Sequence, residues 1–352
     1  MPGQAQQVVV GLDKGGTTIN ATVLDSTGRF LVDRLVETPS RVTEGPAKAL
    51  DALAVSLTQV LELTCTPLSA VQAVGLATPG PASANGVISR RGAVNFADLE
   101  WRGFDIRTAL EDRIGLPARY NNDANAASLY AHHVHFGGTA YERSSVSLIV
   151  GTGLGGGVIE SGRVVRGAAG MAGELGHMRI PLDGLLAKGQ AVPFCNCGLT
   201  GDGESIASLT GITKNLLPYW LARFPGHELH RITSMSEAAK QVRGYADKGD
   251  PLATEIFRQQ AIAIGRLFTI AANFTDPDAY FLGGGVVEAS PAFRDWFLAT
   301  VRENTDLREE QQEVATFALV PDLDMAGARG AALAAAEALG WPPPDLPRLA
   351  AA

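Results

Sequence analysis

The residues Val10-Gly11, Gly15-Gly16 and Ile19 recur as Val150-Gly151, Gly155-Gly156 and Ile159, every one 140 positions later. Each copy sits in the same local pattern. An apolar run enters a glycine turn and a second apolar run leaves it. A second turn comes next, Asp25-Ser26-Thr27-Gly28 in the first copy and Glu160-Ser161-Gly162-Arg163 in the second. Short apolar runs bounded by such turns read as strands, so each copy predicts an antiparallel meander. Chance matching among 40 glycines is the competing explanation, but the flanking strands match as well. Duplication of one meander implies two related α/β lobes with a cleft between them.

Apolar spacing near 3.6 predicts helices over 44–63, 104–114, 124–136, 204–217, 236–248 and 251–274, with an alanine-rich helix over 328–339. Strands are predicted over 71–76, 118–120, 279–282 and 314–320. The first of these runs into the rigid loop Thr78-Pro79-Gly80-Pro81. A chain of 352 residues suggests about two domains of ~150 residues, and 46% hydrophobic residues are enough for a real core. The net charge of −8 and the absence of a long basic run argue against a nucleic-acid footprint. An anionic ligand must then be held by local N–H groups or a bound cation. Three cysteines are too few for a disulfide framework and fit a reducing compartment. The start MPGQAQQVVVGLD lacks a signal-peptide pattern, and no apolar run reaches about 18 residues. The expected location is the cytoplasm, with no membrane partner.

Several clusters carry chemistry. In DKGGTT, Gly15 and Gly16 let the backbone approach a phosphate, Thr17 adds a hydroxyl, and Asp13 can hold Mg²⁺ through water. A tight hairpin needs similar residues. GTGLGGG places five glycines in seven positions, more than a hairpin requires. No G-K-[ST] comes after it, and GVIESGRVV reads as strand, so it is neither a Walker loop nor a Rossmann fingerprint. Gly283-Gly284-Gly285 lies after a strand and before helix-like residues, where a helix N-terminus can receive a nucleotide. In NND, Asp123 is placed either to cap the next helix or to take a hydroxyl proton as general base, with Asn122 orienting that hydroxyl. Glu174 and His177 are three apart and share a face, which suits vicinal sugar hydroxyls. His177, Cys195 and Cys197 are three candidate zinc donors, and Cys65 lies far upstream.

In this order the motifs resemble the ROK family (repressors, open reading frames, kinases) of the actin-like sugar-kinase superfamily. The likeness covers about residues 8–340 and is most specific in DKGGT, NNDANAA and GTGLGGGVIESGRVVRGAAGMAGELGH running on to CNCGLTGDGE. It implies an α/β fold of two actin-like (ribonuclease H-like) lobes with a central ligand cleft. The smaller lobe is expected over 1–122 and 322–352, the larger over 123–321. It implies ATP-dependent transfer to a hexose, glucose at its 6-hydroxyl, with Asp123 as catalytic base. Asn95, Asn122, Glu174, His177, Glu204 and Gly80 match sugar ligands. Asp13, Gly15, Gly16, Thr17, Thr152 and Gly153 match the phosphate and Mg²⁺ loops, and Gly284 and Gly285 the adenosine side. A homodimer is expected from the family.

One departure stands out. The family's zinc turn reads C-x-C-G-x-x-G-C-x-E, and here Asp202 occupies the third cysteine's place. A carboxylate is a harder donor but still ligates Zn²⁺, which gives the set His177, Cys195, Cys197, Asp202; the alternative is a site without metal. Other hexoses, N-acetylhexosamines and polyphosphate as donor remain open alternatives. A sugar sensor is disfavoured by the intact Asp13, Asp123 and glycine loops. A repressor is disfavoured by the acidic charge and by the seven residues that precede Val8.

Overall fold

A computed structural model of the chain describes residues 7–91 and 96–342. The first run of elements is β1 (Val8–Lys14), β2 (Thr18–Asp25), β3 (Glu37–Pro39), α1 (Pro46–Leu63), β4 (Val71–Thr78), α2 (Ile106–Ile114), β5 (Ala118–Asn122) and α3 (Asp123–Phe136). Next come β6 (Ser145–Val150), β7 (Leu154–Glu160), β8 (Arg163–Val164), α4 (Leu209–Gly211), α5 (Leu217–Leu221), α6 (Met235–Ala246) and α7 (Pro251–Thr275). The run ends with β9 (Ala279–Gly284), α8 (Pro291–Glu303), α9 (Glu309–Val314), β10 (Thr316–Leu319) and α10 (Leu323–Ala338).

The first sheet has the order β3-β2-β1-β4-β5. Its β1–β2–β3 portion is the antiparallel meander, and β4 lies parallel to both β1 and β5. The second sheet, read from its β8 end, has the order β8-β7-β6-β9-β10. Replacing β1 to β5 by β6 to β10 converts one order into the other. β9 pairs parallel with β6 and β10, as β4 does with β1 and β5. The repeat seen in a few glycines therefore extends to whole-sheet topology, the α/β actin-like class.

The chain divides into two compact units. The first contains the residues up to Ser144, Gly157–Gly173 and the chain from Val320; the second contains Ser145–Gly156 and Glu174–Leu319. The sequence reading put the division at 122/123, before α3. The structure keeps α3 in the first unit because α10 packs onto it with no side chain between the backbones. A Cβ at Gly330 would stand 1.7 Å from the Ala126 carbonyl oxygen. The same α10 covers one face of the first sheet, where a Cβ at Gly11 would stand 2.0 Å from the Ala328 carbonyl. Small residues are what let this helix approach so closely. On the opposite face, Val8, Val10 and Leu12 of β1 share one apolar cluster with Leu53, Leu57 and Val60 of α1.

Most predicted elements are found with ends shifted by a few residues. The helix expected over 204–217 begins only at Leu209. The stretch before it is held in turns by the Asp202 carboxylate, which accepts from the Ser205 N–H at 3.0 Å, and Ser208 caps the helical segment that starts there. Two helices escaped the sequence reading. α8 has a buried face of Phe293, Phe297 and Val301, and α9 buries nothing. Among the described residues no helix is long and apolar enough to cross a membrane.

Candidate functional site

In the first unit, β1 delivers Asp13 to its turn into β2. The Gly15 N–H closes that turn onto the Thr18 carbonyl at 2.8 Å, and Gly16 and Thr17 are both exposed at its tip. Asp13 is half-buried. α10 passes directly against it, and a Cβ at Gly327 would stand 2.1 Å from Asp13 Oδ2. Burial, followed by the charge of Asp123, pushes the Asp13 carboxyl up to about 7, against the pull of Lys14. A carboxylate under such pressure favours a cation, which stabilises its charged form.

Lys14 points to the other face of β1 and is fully buried. Its ammonium lies 4.3 Å from the Phe96 ring centroid and 5.0 Å from that of Trp101, and it has no hydrogen-bond partner among the described residues. Burial, more than the opposing attraction of Asp13, brings the ammonium down to about 7.

Asp123 opens α3. Of the two tasks the sequence allows Asp123, capping falls instead to Asn122, which is still extended (φ −69°, ψ 148°). Asn122 Oδ1 accepts from the N–H groups of Ala124 (2.9 Å) and Asn125 (3.3 Å). One Asp123 oxygen takes the Ala124 N–H at 2.7 Å. Burial raises the Asp123 carboxyl, against the backbone N–H groups that lower it. Gly80 lies beside Asn122, since a Cβ there would stand 3.3 Å from Asn122 Nδ2. Asn95 lies outside the described residues. Arg166 was not singled out from sequence, yet it fixes the strand before this pair. It donates to the Tyr120 carbonyl (3.0 Å) and to Asn121 Oδ1 (2.7 Å).

In the second unit the GTGLGGG segment divides its glycines among tasks. At Gly151 and Thr152 the loop tip is exposed, with open space around a Cβ at Gly151. The loop is tethered from α4, as the N–H and the hydroxyl of Thr210 both donate to the Thr152 carbonyl (3.1 and 2.8 Å). Gly153 makes room for Glu204, whose Oε2 would be 2.7 Å from a Cβ there and accepts the Leu154 N–H at 2.9 Å. Gly157 belongs to the first unit and makes room for Ser128 of α3. At least two of the five glycines thus serve packing. Gly284 ends β9 with φ 98°, and the Gly285 N–H donates to the Val150 carbonyl (3.1 Å), just before the GTG tip. The next helix, α8, begins at Pro291 and not at this turn, which corrects the expected helix N-terminus.

Glu174 and His177 converge as expected, with 4.0 Å between Glu174 Oε2 and His177 Nε2. Glu204 is tied to the same stretch through its N–H, which donates to the Gly176 carbonyl at 2.7 Å. His177 Nδ1 lies 3.5 Å from Asp202 Oδ2 and 3.8 Å from Cys195 Sγ, and Cys197 Sγ lies 3.7 Å from Asp202 Oδ2. The four donor atoms are all within 4.8 Å of one another. Tetrahedral zinc with bonds of about 2.0–2.3 Å sets its donors about 3.3–3.8 Å apart, so the set fits that ion. The hydrogen bond that the His177 ring donates to Asp202, against burial and with help from Glu204, lifts His177 to about 9.

Two sheets of one duplicated topology, with carboxylates and glycine turns at their strand ends, define an actin-like α/β protein. Residues 9–338 match the ROK family, and the chain belongs to it. It is 32% identical to a glucokinase of Halalkalibacterium halodurans over 286 residues, covering 80% of this chain and 81% of that one. Among solved structures it is similar to a ROK hexokinase from Thermus thermophilus, with TM-score 0.73, 32% identity and coverage of 95% and 99% of the two chains. It is also similar to a ROK family glucokinase from Streptomyces griseus in complex with glucose and AMPPNP, with TM-score 0.65, 28% identity and coverage of 94% and 99%.

Proposed function

We propose that this chain is an ATP-dependent hexose kinase that phosphorylates glucose at the 6-hydroxyl. The observation that carries the reading is the Asp123 carboxyl. It stands at a strand end, is raised by burial, is flanked by Asn122 and Gly80, and lies near enough to Asp13 to raise that group too. A carboxylate whose pKa is raised is a stronger base and is better suited to accept a proton from an alcohol. Asp123 takes the 6-hydroxyl proton as the oxygen forms its bond to the γ-phosphorus. The bond from that phosphorus to the β–γ bridging oxygen breaks, and ADP leaves. Asn122, through its amide nitrogen, orients the hydroxyl, while Glu174, His177 and Glu204 bind the other hydroxyls of the ring.

The N–H groups of Gly16, Thr17, Thr152 and Gly153 receive the donor phosphates, and Gly284 and Gly285 the adenosine. Asp13 would hold Mg²⁺, which would supply positive charge to offset that of the transferring group. Positioning and electrostatics supply most of the acceleration in such reactions. His177, Cys195, Cys197 and Asp202 would hold zinc, and the bound ion would fix the orientation of the His177 ring. A cytoplasmic setting belongs to the same reading, and the homodimer expected of the family is tested by light scattering.

The test is sugar-dependent ADP release over glucose, mannose, fructose, allose, N-acetylglucosamine and N-acetylmannosamine. Glucose is expected to give the highest kcat/KM, and 6-deoxyglucose to bind without turnover. ADP release that no sugar stimulates removes the proposal.

A further inference from the structure

The connection from β9 to α8 starts at Gly285, directly after Gly284 at the strand end, and it is held by one helix. Gly284 adopts φ 98°, and a Cβ there would collide with the Val150 carbonyl at 2.0 Å. With the Gly285 N–H also bonded to that carbonyl, one side of the turn is fixed to β6. The Gly285 carbonyl is taken by Nη1 of Arg243, from the last turn of α6. Just past the end of α6, Asp247 accepts the Ser290 N–H at 3.0 Å. One helix end therefore grips both the start and the finish of the connection. Within it the Val287 N–H donates to the Gly284 carbonyl at 3.0 Å.

Arg243 is an unusual choice for a mere staple. Its side chain is 41% exposed, and its carboxylate neighbour Glu288 is 3.9 Å away, beyond hydrogen-bonding distance. The guanidinium spends its close contact on a backbone carbonyl, in a chain of net charge −8. A planar fork with five donors sets the position and direction of that carbonyl more closely than one neutral donor can. We propose that Arg243 is a positioning residue for the donor, fixing through Gly285 the turn that receives the adenosine portion of the nucleotide. This rests on the reading of Gly284 and Gly285 as the adenosine side.

Calorimetric titration of ADP and of glucose onto Arg243→Met, Arg243→Lys and Gly285→Val, with thermal unfolding of each, tests the proposal. Arg243→Met is expected to weaken ADP about tenfold, the scale of one hydrogen bond from a charged donor. Glucose affinity, kcat at saturating ATP and Tm should stay at wild-type values, and Arg243→Lys should recover part of the ADP affinity. If Gly285→Val weakens ADP while Arg243→Met does not, the turn serves the nucleotide but Arg243 does not position it. If neither variant changes ADP affinity, the adenosine reading of the turn itself is wrong. Equal weakening of ADP and glucose with a lowered Tm in Arg243→Met would reduce Arg243 to a structural staple.

Discussion

Gly327→Ala separates the site from the scaffold more cleanly than any change to a charged residue. The added Cβ would stand 2.1 Å from Asp13 Oδ2 and 2.6 Å from its Cγ. Ordinary contact needs about 3.5 Å, so the overlap exceeds ~1 Å. α10 could rise to relieve it only by opening the close backbone packing it makes on β1 at Gly11 and on α3 at Gly330. The Asp13 carboxylate must therefore move by about 1 Å, a misplacement that costs on the order of 10²-fold in rate. Stability should change much less. Overpacking costs about 1–3 kcal/mol, and replacing glycine by alanine inside a helix returns about 1 kcal/mol, leaving a net loss of about 0–2 kcal/mol. Steady-state kcat and its Mg²⁺ dependence, measured beside urea unfolding, read both quantities. Gly244→Ala in α6 is the control. Its Cβ meets nothing within 4 Å, so full activity and a slight gain in stability are expected. A Gly327→Ala protein with wild-type kcat and Mg²⁺ dependence would refute the argument that Asp13 must keep its place.

Other outcomes can be measured on the same molecule. Asp13 acts as a carboxylate held up to about 7, so kcat/KM should fall as pH drops through about 7, and the raised Asp123 carboxyl adds to the fall in the same direction. Lys14→Met removes the charge that lowers Asp13, so the acid limb should move to higher pH; an unmoved limb contradicts this coupling. His133 is buried, and its Nε2 lies 3.0 Å from the Gly162 carbonyl; burial lowers it from 6.5 to about 4. Because the folded pKa is depressed, its stabilising effect is complete above 6.5 and is lost as pH falls toward 4. The loss is about 3 kcal/mol by linkage. Urea unfolding should show His133→Gln losing correspondingly less than wild type over that window, and parallel curves would contradict the assignment. Purified protein should carry about one zinc per chain. Asp202→Ala should lose it and Asp202→Cys keep it, as metal analysis would show; equal metal in wild type and Asp202→Ala would exclude the carboxylate as ligand.

The duplicated meander was legible because glycine turns have a strong local signature, and its strands carry unbroken apolar runs such as Val8 to Val10. Glu174, His177 and the cysteine turn were legible because their neighbours are close in sequence. Local pattern failed where a distant partner decides the outcome. The Asp202 carboxylate turns a helix-like stretch into a set of turns. Gly327 and Asp13 meet across nearly the whole chain, and no spacing announces it. Asn122 and Asp123 are adjacent and both good caps, so only the backbone angles reveal which one caps and which is left for chemistry. No local pattern announces that Lys14 is buried with its ammonium against Phe96 and Trp101. Arg166 and Arg243 act through backbone carbonyls, and no sequence motif records such contacts.

The central claim is that Asp123 removes the proton from the sugar hydroxyl, and one protein tests it. Asp123→Asn should be assayed for glucose 6-phosphate formation and for glucose binding by calorimetry. The account predicts a fall in kcat of about 10²–10⁴-fold, the usual contribution of a general base, with glucose affinity retained. Turnover near the wild-type rate in that variant would contradict it.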